Sequence, residues 1–252
     1  MSVQHIIARE PEAAERLIVA LDFNAPREAL ALVDRLEDSV SFYKVGLELF
    51  VTAGPAIVEE LQRRGHKIFL DLKIDDVVET ITRTVRQIAS MQVDLMTILG
   101  GPPTMDAAVA GRADNALPRI LSVTLLTSLN QSDLEFAGLL GHPGARFESV
   151  EHYVRWRAET AIAHGCDGLI TSGTNAAMLR QHLGAGPLLV TPGIRPAGAS
   201  LNEHKRPCTP FDSIRDGADY IVVGRPIRDA PHPPDAARAI IADIEAGLAA
   251  RS

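Results

Sequence analysis

The sequence predicts an α/β protein folded as a single (β/α)8 barrel of the TIM type, one domain over residues 1–252. Three observations predict it. Eight short, nearly continuous apolar runs recur along the chain, as parallel strands buried on both faces require. The segments between most of them carry Ala, Leu, Glu and Arg at helical spacing. The length of 252 residues suits eight strand–helix units, which usually take about 250 residues.

The first run, Leu17-Ile18-Val19-Ala20-Leu21, ends at Asp22 and precedes a helical pattern over 27–36. The second, Phe42-Tyr43, leads into Lys44, Val45 and Gly46, with a helix expected over 56–64. The third covers 68–72 and precedes a helix over 77–89; the fourth, 94–99, precedes one over 104–113. After the fifth run, 119–125, a long break at 130–146 reads as a loop before a helix over 150–164. The sixth run, 168–171, precedes a helix over 175–183. The seventh, 188–191, is followed by a break over 193–210 rich in Gly, Pro and polar residues. Loops of that length in a compact domain are often functional lids. The eighth run, 220–223, precedes a closing helix over 235–248, and no Pro/Gly/Ser-rich linker divides the chain.

Composition narrows the function classes. An apolar content of 46% indicates a packed core rather than disorder. Aromatics make up only 4%, which leaves that core to Leu, Ile, Val and Ala. A net charge of −7 argues against nucleic-acid or anionic-membrane partners, while leaving room for a local basic pocket. No stretch reaches transmembrane length, and residues 1–10 lack a signal-peptide apolar core, so a cytoplasmic protein is expected. Cys166 and Cys208 make no metal or redox spacing and are expected to be reduced thiols.

The chemistry concentrates at Phe69-Leu70-Asp71-Leu72-Lys73-Ile74-Asp75-Asp76. Strand residues two apart face one way, so Asp71 and Lys73 point to the same side. Asp76 comes next, where a helix would begin and would favour a carboxylate. A lysine among acids keeps its proton, because opposite charges nearby favour the charged form. In isolation this pattern is a structural ion pair closing a strand. Likewise Asp22 alone reads as a helix cap, Lys44 as a snorkelling strand-end lysine, Thr127 and Ser128 as turn residues, and Gly224-Arg225-Pro226 as a loop. In a barrel, however, the active site lies at the carboxyl ends of the strands. Asp22, Lys44, Asp71 with Lys73, Thr127 with Ser128, Arg195, and Gly224 with Arg225 all fall on that rim, and scattered surface charge does not explain six such positions. His152 and His164 lack metal spacing, and Trp156 reads as packing.

With these motifs in order, the chain from Ile18 to Ile227 resembles the orotidine 5′-phosphate decarboxylase family. Ile18-Val19-Ala20-Leu21-Asp22 is similar to its opening strand, whose aspartate contacts the ribose. Tyr43-Lys44-Val45-Gly46 is similar to its second-strand lysine segment. Asp71-Leu72-Lys73, with Asp76 and Thr80, resembles the family's D-x-K-x-x-D-x-x-x-T signature. The segment 123–128 resembles the pyrimidine contact, 191–196 the start of the phosphate-closing loop, and Val223-Gly224-Arg225-Pro226 the phosphate clamp. Two departures stand out. Ile74-Asp75 and Val78-Glu79 replace the usual residues around the signature, with Asp75 expected to point to solvent. His204 takes the place of the usual lid Gln, with Asn202 and Lys205 as alternatives.

The resemblance implies decarboxylation of orotidine 5′-monophosphate to UMP in de novo pyrimidine biosynthesis, without cofactor or metal. It implies Lys73, Asp71, Asp76 and Lys44 as the catalytic charges. It implies substrate contacts from Asp22, Lys44, Asp71, Thr80, Thr127, Ser128, Arg195, His204, Gly224 and Arg225. It further implies a homodimer in which Asp76 and Thr80 reach the neighbouring site. A magnesium-dependent sugar-phosphate decarboxylase or aldolase of the same barrel group is the alternative, and a catalytically dead phosphate-binding barrel a second. Lys44 on the second strand would repel a divalent cation, and a binding protein has no need for buried charges that cost desolvation energy.

Overall fold

Eight parallel strands close into a barrel in sequence order. The computed structural model describes residues 11–196 and 208–251. The strands are β1 (Leu17–Ala20), β2 (Phe42–Gly46), β3 (Lys67–Ile74) and β4 (Leu95–Ile98). They continue with β5 (Arg119–Val123), β6 (Gly168–Ile170), β7 (Leu188–Thr191) and β8 (Tyr220–Val223). β8 pairs back onto β1 through Leu17 with Ile221 and Val19 with Val223, so the sheet has no free edge.

The helices around it are α1 (Pro26–Leu36), α2 (Leu47–Ala53), α3 (Ala56–Arg63), α4 (Val78–Ser90) and α5 (Pro102–Arg112). Beyond β5 come α6 (Gln131–Phe136), α7 (Val150–Ala163) and α8 (Ala176–Leu183). The last three are α9 (Pro210–Arg215), α10 (Arg225–Arg228) and α11 (Pro233–Ala249). All eight expected strands and seven expected helices form, with ends shifted by a few residues.

The break at 130–146 is not wholly a loop. Asn130 caps α6: its Oδ1 accepts from Ser132 N at 2.8 Å, while Asp133 Oδ2 accepts from Asn130 N at 2.8 Å. That reciprocal capping box satisfies amides that a helix start leaves without partners. α9 begins in the same manner, with Thr209 Oγ1 accepting from Asp212 N at 3.0 Å and Pro210 at its first position. Most of the 193–210 break, including His204, Asn202 and Lys205, lies outside the described residues.

Strand parity sorts the core into two parts. Ile18, Ala20, Phe42, Phe69, Leu95, Leu121, Val123, Ile170, Val190 and Val222 cluster together and fill the barrel. Their neighbours in sequence, among them Val19, Tyr43, Ile68, Leu70, Met96, Ile120 and Ile221, join the larger cluster under the helices. Alternation by two therefore fixes the next inward-facing residues towards the carboxyl ends. After Ile18 and Ala20 comes Asp22; after Phe42, Lys44 and Gly46; after Phe69, Asp71; after Leu95, Thr97; and after Val222, Gly224. The apolar filling ends and a polar mouth begins.

At the opposite end one device recurs. Asp94, Asp167 and Asp219 each accept the amide of a neighbouring strand, from Ile68, Ile120 and Leu189 at 2.8, 2.7 and 2.8 Å. These bonds fix the register with which the strands present their far ends. The helix pair α4 and α5 is equally tight. A Cβ on Gly111 would lie 2.5 Å from the Thr82 carbonyl oxygen and 2.9 Å from Val85 Cβ. Gly111→Ala must push these helices apart, and overpacking of this kind costs about 1–3 kcal/mol. Thermal unfolding should register that loss as a lowered Tm; an unchanged Tm would mean the helices separate freely.

Candidate active site

Four charged side chains alternate in sign across the barrel mouth. Lys44 Nζ lies 2.9 Å from Asp22 Oδ1 and 3.5 Å from Asp71 Oδ2. Lys73 Nζ lies 2.8 Å from Asp71 Oδ1. Asp71 thus sits between two ammonium groups, and Lys44 between two carboxylates. Exposure differs along this row. The side chains of Lys44 and Asp71 are 11% and 12% exposed, whereas that of Lys73 is 38% exposed. The cation of the row that opens to the mouth is therefore held by the buried Asp71, which the buried Lys44 holds in turn.

Burial pushes the Asp71 carboxyl up, but Lys44 and Lys73, with hydrogen bonds from Lys73 and Thr97, outweigh it. The net result is a carboxyl held below its ordinary value, so Asp71 is ionised at neutral pH. The backbone helps to aim Lys73. Its φ is +51°, in the left-handed region that costs a side-chain-bearing residue about 1–2 kcal/mol. The β3–β4 register shifts between Leu70 and Ile74 at the same place. Lys73 N donates to Thr97 Oγ1 at 2.9 Å, and that hydroxyl donates to Asp71 Oδ1 at 2.9 Å. One buried threonine thus holds both the main chain of the lysine and the side chain of its partner.

Sequence reasoning missed Thr97, although a lone hydroxyl inside Leu95-Met96-Thr97-Ile98 was a usable signal. Gly46 was passed over too. A Cβ there would stand 3.0 Å from Lys44 Nζ and 3.4 Å from Asp22 Oδ1, so its bare Cα leaves room for that ion pair.

The other residues fall around this row. Gly224 abuts Asp22, whose Oδ2 lies 3.5 Å from where a Cβ on Gly224 would stand. Arg225 opens α10 beside it. Arg195 is 9% exposed and its Nη1 donates to the Ile194 carbonyl at 2.8 Å. Burial, and secondly the charge of Arg225, lowers its guanidinium below the usual range, which puts the two arginines within electrostatic reach. Thr127 and Ser128 form an exposed turn after β5, and Thr80 lies in the first turn of α4.

Asp76 is exposed and its Oδ1 accepts from Val77 N at 2.6 Å. Among the described residues it forms no ion pair with Lys44 or Lys73, whose partners are Asp22 and Asp71. Asp75 was expected to point to solvent; it is exposed, and its Oδ1 also accepts from Thr104 Oγ1 at 2.8 Å.

Residues 15–240 match the model of the orotidine 5′-phosphate decarboxylase / HUMPS family. The chain belongs to this family. An orotidine 5′-phosphate decarboxylase of Rhodopseudomonas palustris (strain BisB5) is 46% identical over 93% of this chain and 97% of its own. One from Methylobacterium nodulans is 43% identical over 94% of this chain and 98% of its own. Among solved structures, the Lactobacillus acidophilus orotidine 5′-phosphate decarboxylase superposes with a TM-score of 0.78. It is 33% identical and covers 91% of this chain and 99% of its own. All eight strands of the closed barrel lie within the matched residues.

Proposed function

We propose that this member of the family decarboxylates orotidine 5′-monophosphate to UMP and carbon dioxide, in de novo pyrimidine biosynthesis. The alternating row Asp22, Lys44, Asp71, Lys73 at the barrel mouth carries the reading. Breaking the bond from C6 to the carboxylate leaves an electron pair in the ring plane, outside the π system. Fixed positive charge beside C6 stabilises that pair as it develops, and preorganised charges of this type supply large rate effects. Lys73, the exposed cation of the row, stands beside C6 in this reading and delivers the proton that replaces CO2. Asp71 and Lys44 hold it in place, and Asp22 takes the ribose.

The buried Arg195 and neighbouring Arg225 repel one another, and a phosphate dianion relieves that repulsion. An arginine fork matches phosphate oxygens, so the phosphate goes to this corner with the Gly224 amide. Thr127 and Ser128 take the pyrimidine.

A homodimer accounts for Asp76 and Thr80. Leu47 and Val51 on α2, and Val77 and Val78 next to Asp76 in the chain, are 59%, 75%, 68% and 52% exposed, large apolar side chains that an interface would cover. Across it Asp76 reaches the partner's site, beside the departing carboxylate. We further infer a single domain over 1–252 in the cytoplasm; no described helix is long and apolar enough to cross a membrane. In the magnesium-dependent alternative a cation is needed among the strand-end acids. Here the Lys44 ammonium already stands between Asp22 and Asp71, and its charge opposes a second cation.

The test is direct. Purified protein in chelator should convert orotidine 5′-monophosphate to UMP, followed by the absorbance of the pyrimidine, and the phosphate-free nucleoside should be a far poorer substrate. Absence of turnover by folded protein would sink the reading, and activity lost with metal removal would favour the alternative.

A further inference from the structure

The segment that bears Lys73 and Asp76 is fastened from outside the charge row. Asp75 lies between them, and its Oδ1 accepts a 2.8 Å hydrogen bond from Thr104 Oγ1. Thr104 is 5% exposed, on the first turn of α5, so one end of the bond rests on a buried, immobile group. The space for it exists because residue 100 is glycine. A Cβ there would lie 2.0 Å from Thr104 Oγ1 and 2.2 Å from Asp75 Oδ1.

The glycine's own turn is fixed from beneath. Arg157 of α7 is 7% exposed, and its Nη2 donates to the carbonyls of Leu99, Gly100 and Val123 at 2.8, 3.0 and 3.0 Å. Leu99 N in turn donates to the Ile74 carbonyl at 3.1 Å. Three successive residues are therefore tied to β4, the turn after it and α5: Lys73 by its amide to Thr97, Ile74 by its carbonyl to Leu99 N, and Asp75 by its side chain to Thr104.

We propose that Asp75 is a positioning residue, which through Thr104 locks the left-handed turn at Lys73 and sets where the Lys73 ammonium and Asp76 carboxylate stand. This rests on the decarboxylase reading above. The backbone at Lys73 is strained, with φ at +51°, and such conformations persist only where the surroundings over-determine them. The Asp75–Thr104 bond is the last of these three ties, and the one among them made by a side chain beyond Lys73. It joins a neutral donor to a carboxylate, so the hydroxyl and the acceptor oxygen are what the bond requires, and an amide oxygen at residue 75 would keep it in a weaker form.

Thr104→Val and Asp75→Ala each remove the bond, and each should lower kcat about tenfold or more, as small misplacements of a reacting group do. KM should stay within about twofold, because substrate contacts lie elsewhere. Thr104→Ser and Asp75→Asn keep a donor or an acceptor and should recover most of the rate. Amide hydrogen exchange supplies a readout independent of turnover: residues 74–77 should exchange faster in Thr104→Val, with β1, β2 and β8 unchanged. Parent-like kcat and parent-like exchange in both bond-deleting variants would overturn the proposal. So would Asp75→Asn failing as badly as Asp75→Ala, since charge would then be the agent. Inactive parent protein would defeat the decarboxylase reading, while exchange would still decide the clamp. Asp75 is exposed, so its variants remain usable even where Thr104→Val does not fold.

Discussion

Lys73→Ala should abolish nearly all turnover of orotidine 5′-monophosphate and leave a folded protein. The lysine has two tasks in the proposed reaction, and both vanish with its ammonium. Stabilising developing charge is commonly worth 10²–10³ in kcat for a single preorganised donor. Proton delivery by a positioned group adds about 10²–10⁴. A loss on the order of 10⁴-fold or more is therefore expected, with the residual rate above background coming from phosphate and ribose contacts. Lys73→Arg separates the two tasks. It keeps a positive charge but yields no proton, because guanidinium does not deprotonate in proteins, and it too should be nearly inactive. Lys73→Gly separates chemistry from structure. The φ of +51° suits glycine at no steric cost, so this variant should melt no lower than Lys73→Ala while being just as inactive. The amide bond to Thr97 Oγ1 survives in all three. Retention of a tenth or more of the parental kcat in Lys73→Ala would remove the lysine from the chemistry.

Which parts of this arrangement were legible in the sequence depends on the range of the forces that place each residue. Strand runs such as Leu17 to Ala20 and Leu188 to Thr191 are local signals, because a strand buried on both faces must be apolar throughout. Asp22, Lys44, Asp71 and Lys73 were legible because they interrupt or end such runs at the side where a barrel places its site. Short helices were harder. α6 and α9 depend on caps at Asn130 and Thr209 rather than on a long apolar period, and α2 comes directly after β2 with no intervening turn residue.

Contacts between distant segments were not legible at all. The Asp75 bond to Thr104 joins residues 29 apart, and the Arg157 bond to the Val123 carbonyl joins residues 34 apart. No spacing rule foretells either. Asp75 was expected towards solvent and is exposed; what stayed hidden was its partner, because Thr104 comes from α5.

Asp71→Asn should damage both catalysis and stability, and pH tells these effects apart from a general loss of fold. The substitution keeps shape and an acceptor for Thr97, but removes the negative charge between two ammonium groups. Lys44 still has Asp22 at 2.9 Å; Lys73 loses its partner at 2.8 Å and with it the restraint on its position. Turnover should fall by about a hundredfold or more, since a loosened reacting group forfeits its preorganisation. Stability should fall by about 1–3 kcal/mol at neutral pH, the usual consequence of leaving buried polar groups without their partner.

The depressed carboxyl sets the sign of the pH dependence. In the unfolded chain Asp71 titrates near its ordinary value of 3.8, and in the folded protein lower. Its stabilising contribution is thus complete above pH 3.8 and disappears as pH falls through the lower, folded-state value. Denaturant unfolding of the parent and of Asp71→Asn should therefore differ by a constant amount from neutral pH down to the ordinary carboxylate range. Below it the two curves should converge, because protonation makes the parent resemble the variant. A gap that stayed constant into strong acid would mean that the charge of Asp71 contributes nothing to the fold. The lysines would then be held by packing alone, and the rate loss in Asp71→Asn would need a cause other than their release.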